Sequence, residues 1–212
     1  WPLEYYTFAI DPGTTKSGFV ILQKKEIINK GWSVKKDILS LIENLALVHN
    51  DLQVVIEDIQ SFGMAVGRDV FQTAKFIGAA EFCSGKVNLP FHYVKRSEVK
   101  LFLCNTPKAK DSNIRQAIID YYGGDEVAIG GKKCKTCNGN GWRTRDRITC
   151  KLCSGKGVES EKGPLHGVSG HVWSALGVAL TFLEQEQVKI AMGFLKQAKR
   201  IVKKWAMSKN EL

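Results

Sequence analysis

The sequence predicts an α/β fold, a mixed sheet flanked by helices, with a small cysteine-bearing insert late in the chain. Three observations predict it. Short apolar runs at 5–10, 18–22 and 26–32 follow one another with turn-sized gaps. Helical periodicity then alternates with two more apolar runs, at 53–57 and 91–94. Two Cys-x-x-Cys pairs stand in a stretch rich in Gly, Lys and Arg and poor in core residues, between about 130 and 161.

The first strand, Tyr5 to Ile10, is apolar and aromatic and ends at Asp11-Pro12-Gly13. Gly18 to Leu22 and Glu26 to Trp32 read as the next two. Their short Lys24-Lys25 link implies a hairpin, so the first three strands are expected to be antiparallel. From Asp37, Ile38, Leu41, Ile42, Leu45 and Val48 recur at helical spacing. Gln53 to Glu57 lies between helices and suits a buried parallel strand. A helix from about Val66 to Cys83 carries Val70, Phe71, Ala74, Ile77 and Gly78 on one side, and Phe91 to Val94 makes a fifth strand. Two short helices open at Ser97 and near Asp111, both suitable N-caps. After the insert, Val168 to Leu183 is a strongly apolar helix, and a separate basic amphipathic helix closes the chain. Three antiparallel strands, then helix, strand, helix, strand and helices, is the order of a ribonuclease-H-like layer fold. The expected division is a main domain from 1–129 and 162–212 with an inserted zinc-binding module at 130–161.

A chain of 212 residues can bury a proper core, and no run of about 18 apolar residues suggests a membrane span. The net charge of +10, from 31 basic and 21 acidic residues, favours a polyanionic partner. Lys and Arg gain by displacing counterions condensed on phosphates. Cys83 and Cys104, amid apolar neighbours, read as reduced core thiols, which points to a reducing compartment. The expected location is cytoplasmic, in a bacterial or phage-infected cell, with an organellar origin left open.

Asp11 ends the first strand and Glu57 the fourth. Ligands of open α/β sheets gather at such strand ends. Two carboxylates there suit Mg²⁺ or Mn²⁺, hard cations that keep several waters. Each acid could instead cap or salt-bridge at a surface edge. Asp58 would face away from Glu57 by strand alternation. His171, at the start of the late helix, gains meaning only beside the acids.

Phe8-Ala9-Ile10-Asp11-Pro12-Gly13 with Gly18, then Val55-Ile56-Glu57, then His171-Val172-Trp173-Ser174-Ala175-Leu176 with Val178-Ala179-Leu180 follow in order. Together they resemble the motifs of RuvC-type Holliday-junction resolvases, over roughly residues 5–122 and 165–185. Val99-Lys100 and Lys108-Ala109-Lys110-Asp111 are similar to the family's basic stretch. The resemblance implies a homodimer that nicks four-way DNA junctions symmetrically with Mg²⁺. It makes Asp11 and Glu57 metal ligands, His171 a ligand or water-positioning residue, and Lys100 and Lys110 residues that face phosphate or the site. It places the dimer contact on the helix bearing Ala74, Gly78 and Ala79, and makes Phe62 the candidate wedge in the junction centre. Seating of the following helix is the competing role for Phe62.

The family carries an Asp three residues after this His, and here Ser174 stands in its place. Positions three apart share a helix face, so His171 and Ser174 would both look into the site. Loss of that charge should weaken divalent binding. Three readings stand side by side: natural catalysis with fewer acids, an inactivating substitution, or a branched-DNA-binding protein that has lost cleavage. Asp11-Pro12-Gly13-Thr14-Thr15 also resembles the phosphate loop of sugar-kinase, actin and Hsp70-like ATPases, but this chain is short for their two lobes.

Cys134-x-x-Cys137 and Cys150-x-x-Cys153, each followed by glycines, suit a tetrahedral structural Zn²⁺ with no open position. The repeated C-x-x-C-x-G-x-G phrase is similar to the zinc modules of DnaJ-type chaperones. Eight basic residues against Asp146 alone make residues 132–156 cationic. Arg143, Arg145 and Arg147 are expected on the DNA backbone, and Trp142 is expected to pack the module rather than stack on a base. Lys196, Lys199, Arg200, Lys203 and Lys204 give the C-terminal helix a basic face, either solvated or turned to DNA.

Overall fold

The computed structural model describes residues 5–60, 66–131, 133–142, 148–158 and 161–209, with side chains through 201. Phe62, Arg143, Arg145 and Arg147 lie outside the described residues. Among those described, one sheet is built from β1 (Tyr6–Asp11), β2 (Lys16–Gln23), β3 (Glu26–Val34), β4 (Gln53–Asp58) and β5 (Phe91–Lys95). Their spatial order is β3-β2-β1-β4-β5. The first three are antiparallel, while β4 runs parallel to β1 and β5 parallel to β4. The hairpin link turns at Lys24, whose φ is 57°.

Strand alternation divides the interior into two cores. Phe8, Ile10, Val54 and Ile56 face helices α1 (Lys35–Val48) and α2 (Arg68–Lys86). Ala9, Val20, Leu22, Val55 and Val94 face the opposite layer, made by α3 (Arg96–Cys104), α4 (Asp111–Tyr121) and the last helix. A short α5 (Asp125–Ala128) leads to the insert. The central strands are apolar on both sides because both faces are covered.

The last helix differs from expectation. Instead of an apolar helix and a separate basic one, α6 runs unbroken from His171 to Lys209 over 39 residues. No proline interrupts it, and Gly193 has open space around it. One interior glycine costs about 1 kcal/mol relative to alanine, too little to end a helix with good formers on both sides. Residues 172–183 are mostly buried beneath the sheet, whereas Val188, Met192, Phe194, Leu195 and Ile201 are exposed.

The expected face of α2 also splits. Ile77 is buried with Thr73, Phe76, Ala80 and Cys83, while Phe71, Ala74 and Gly78 lie on the exposed side. Several small residues in one helix made its inner and outer faces hard to separate by pattern.

The insert is clipped at its root. Gly130 pairs with Lys162, Gly163 donates its N–H to Ile129 (2.9 Å) and Leu165 donates to Ala128 (2.7 Å). A Cβ on Gly163 would come within 2.1 Å of the Val127 oxygen, so only glycine permits that approach. Trp142, opposite Thr149 in an isolated bridge, is 52% exposed, contrary to the expectation that it packs the module. The module's buried cluster is made of the four cysteines, which leaves the indole at the rim.

Candidate functional site

The parallel pairing of β1 and β4 brings Asp11 and Glu57 to the same edge of the sheet. Asp11 is opposite Gly18 in the β1–β2 ladder. Gly18 is also where α6 begins its passage over the sheet: a Cβ there would lie 2.4 Å from the His171 carbonyl carbon and oxygen. The missing side chain lets His171 sit beside Asp11, and its Nδ1 lies 2.8 Å from Asp11 Oδ2. Ser174, one turn along α6, lines the same cleft beside Asp11 and helps to hold its carboxyl down.

These four side chains share a cleft of about 500 Å³ with Arg96 and Asp111. Arg96 opens α3 directly after β5, and Asp111 opens α4. Arg96 donates from Nη1 to Glu57 Oε2 (3.2 Å) and from Nη2 to Asp111 Oδ1 (2.5 Å). The Arg96–Glu57 pair is mostly buried, at 23% and 17% side-chain exposure, whereas Asp111 is 82% exposed.

Burial pushes Glu57 up to about 7, against the pull of Arg96 and with the help of the Asp11 and Asp111 charges. Burial also raises Asp11 above the usual carboxylate range, opposed by His171, Arg96 and Ser174. Burial works against the charge on Arg96, but Glu57, Asp111 and Asp11 outweigh it and raise its pKa. Two strand-end carboxylates held above their ordinary range fit a divalent cation, whose charge would favour their ionised forms. His171 and Asp111 line the same open cleft beside them.

Arg96 lies in no motif, and the basic stretch that contains Asp111 drew attention to its lysines instead. Asp111 reads in sequence as a helix cap, and Arg96 as one more cation in a basic chain. Lys110, next to Asp111, is exposed, and its N–H donates to Asn113 Oδ1 (3.0 Å) at the start of α4. Lys100 is half-buried on α3. Neither lines the cleft.

A second centre is complete in itself. The sulfurs of Cys134, Cys137, Cys150 and Cys153 all lie within 4.8 Å of one another, and all four residues are buried. Among the described residues it is the only group of three or more such ligands gathered this closely. Cys134–Cys150 and Cys137–Cys153 sulfurs are 3.7 Å apart. A tetrahedron with Zn–S arms of about 2.3 Å has edges of roughly 3.8 Å, so the set fits zinc. Gly141 and Gly157 donate N–H groups to Cys137 and Cys153 at 3.3 Å, with φ of 79° and 73°. A Cβ on Gly141 would strike the Gly155 oxygen at 2.4 Å, and one on Gly157 the Gly139 oxygen at 2.3 Å. The knuckles therefore pack reciprocally through their glycines. Cys83 and Cys104 are free thiols outside this centre.

No protein-family model matches the chain, and no curated protein matches it. Solved structures do. Thermus thermophilus RuvC in complex with a Holliday junction substrate superposes with a TM-score of 0.55 at 13% identity, covering 84% of this chain and 92% of that one. A second structure of Thermus thermophilus RuvC gives 0.51 at 14% identity, over 83% and 92%. The chain thus has the RuvC fold, a ribonuclease-H-like sheet with helices on both sides, and adds a four-cysteine module that fits zinc.

Proposed function

We propose that the protein is a structure-specific endodeoxyribonuclease that binds four-way DNA junctions as a homodimer and resolves them by symmetric, metal-dependent nicking. The observation that carries this reading is the meeting of Asp11, Glu57, His171 and Ser174 in one cleft, in a fold shared with a RuvC bound to a Holliday junction. Asp11 and Glu57 would hold Mg²⁺ or Mn²⁺. Bound there, such ions would supply the means to activate a water and to stabilise the leaving oxygen. His171, fixed against Asp11, orients the attacking water or completes the ligand set. Ser174 offers a hydroxyl and no charge. Lys100 and Lys110 would contact phosphates at the edge of the cleft, and Phe62 would enter the junction centre.

The homodimer reading is supported by the outer face of α2. Phe71 and Phe82 are 59% and 77% exposed, with Ala74 and Gly78 between them where a partner helix could approach. The four-cysteine module, as a unit over 130–161, would hold one structural Zn²⁺ and present Arg143, Arg145 and Arg147 to the DNA backbone. Since no described helix is long and apolar enough to cross a membrane, this reading needs no membrane partner.

Ser174 favours a second reading, a branched-DNA-binding protein without catalysis. A labelled four-way junction incubated with the protein and Mg²⁺ or Mn²⁺ separates the two. Paired symmetric nicks that vanish in Asp11→Asn support the nuclease. Tight, structure-selective binding with no nicking under either metal supports the binder and rejects the nuclease.

A further inference from the structure

The cleft is short of one acid on α6 at Ser174, yet it contains three carboxylates. The third belongs to Asp111, which opens α4 and to which the sequence motifs assign no role in the site. Arg96 joins it to the site: one arm of the guanidinium holds Glu57 and the other holds Asp111. The guanidinium is a rigid planar fork, so the two carboxylates stand on adjacent arms of one cation. An ion pair with so exposed a partner is screened by solvent and adds little to stability, so the fold does not depend on it. With its acids ionised, the cleft carries three negative charges against one fixed positive charge. Without Asp111 it would carry two against one, a poor match for a divalent cation.

We infer that Asp111 is the third carboxylate of the divalent-metal centre, supplied by α4 in place of the acid that Ser174 lacks on α6. Arg96 holds Asp111 beside Glu57 in the metal-free protein and yields it when a divalent cation binds. High exposure leaves Asp111 free to rotate between the guanidinium and the ion. The inference rests on the nuclease reading above, since it assumes that Asp11 and Glu57 bind metal.

The test is Mn²⁺ titration of the zinc-loaded full chain without DNA, with free Mn²⁺ followed by electron paramagnetic resonance. Saturable binding that disappears in Asp11→Asn defines the site. Asp111→Asn should then weaken Mn²⁺ affinity by about tenfold or more, and adding Ser174→Asp to that variant should recover most of the loss. Asp51→Asn, an exposed acid in the turn after α1, should leave affinity unchanged. Thermal melts and zinc content of each variant confirm that the fold is retained. If binding depends on Asp11 but Asp111→Asn stays within about twofold of the unaltered chain, this inference falls and the nuclease reading survives. If the unaltered chain shows no saturable Mn²⁺ binding, both fall.

Discussion

The backbone of His171 rests on the bare α-carbon of Gly18, directly across the β1–β2 ladder from Asp11. That contact sets how close the start of α6 comes to the strand-end carboxylates. Gly18→Ala would place a methyl group 2.4 Å from main-chain atoms that cannot rotate away. Overpacking of this kind costs about 1–3 kcal/mol. We expect a lower denaturant midpoint and slower nicking, with zinc content unchanged. An alanine variant with unaltered stability would show that α6 is not seated by this contact.

The carboxylates set a pH dependence. Glu57 sits at about 7 in the folded protein, above its ordinary value of 4.5, so the native state binds more protons than the unfolded state between those two pH values. The associated stability is fully present below about pH 4.5 and is lost as pH rises through about 7, a change on the order of 3 kcal/mol for the metal-free chain. Asp11, raised in the same way, adds loss of the same sign. Glu57→Gln should flatten this fall between pH 5 and 8, as measured by urea melts in chelator. Divalent binding should release protons near pH 6.5, measurable by titration calorimetry in buffers of different ionisation enthalpy.

Ser174→Asp returns a carboxylate to the helix face that carries His171. The expected result is tighter Mg²⁺ binding and paired nicking of a labelled junction at least about tenfold faster than in the unaltered chain, a barrier change of roughly 1.4 kcal/mol. No change in rate at saturating Mg²⁺ would mean that Ser174 does not limit catalysis.

For the cysteine centre, one zinc per chain is expected by elemental analysis. Cys134→Ser should lose the metal and unfold the module, since in small metal sites binding and folding are one process. The sheet has its own two cores and should keep its cooperative melt. Joint unfolding of both parts would show that the module also supports the main domain.

Replacing Arg143, Arg145 and Arg147 together with Gln tests the module's part in DNA binding. Each lost phosphate contact lowers the salt slope by about 0.9, so the slope should fall by up to about 2.7 as junction affinity drops. Unchanged affinity and slope would detach the module from DNA.

Local pattern carried much of this protein. Short-range alternation and turn residues placed the five strands, because each strand's apolar positions follow from burial on the sheet. The parallel β4 was legible from its short run with an apolar centre, Val54 to Ile56, between helices. Cys-x-x-Cys spacing announced the thiol centre because its ligands are close in sequence and the turns require glycine. Asp11 and Glu57 were legible as strand-end acids. His171 and Ser174 needed the family resemblance, and the structure brings both into the cleft with Asp11.

What the tertiary structure decided lies between distant segments. Arg96 and Asp111 enter the cleft only because α3 and α4 begin beside the end of β4, 39 and 54 positions along the chain from Glu57. The outward face of α2 and the exposed Trp142 depend on what does or does not cover them, which periodicity cannot register. By itself the sequence determined the strands, the strand-end acids and the zinc knuckles, whose physics is local. Only the fold decided the full membership of the cleft, because Arg96 and Asp111 join it across space and each is, in sequence, an ordinary surface residue.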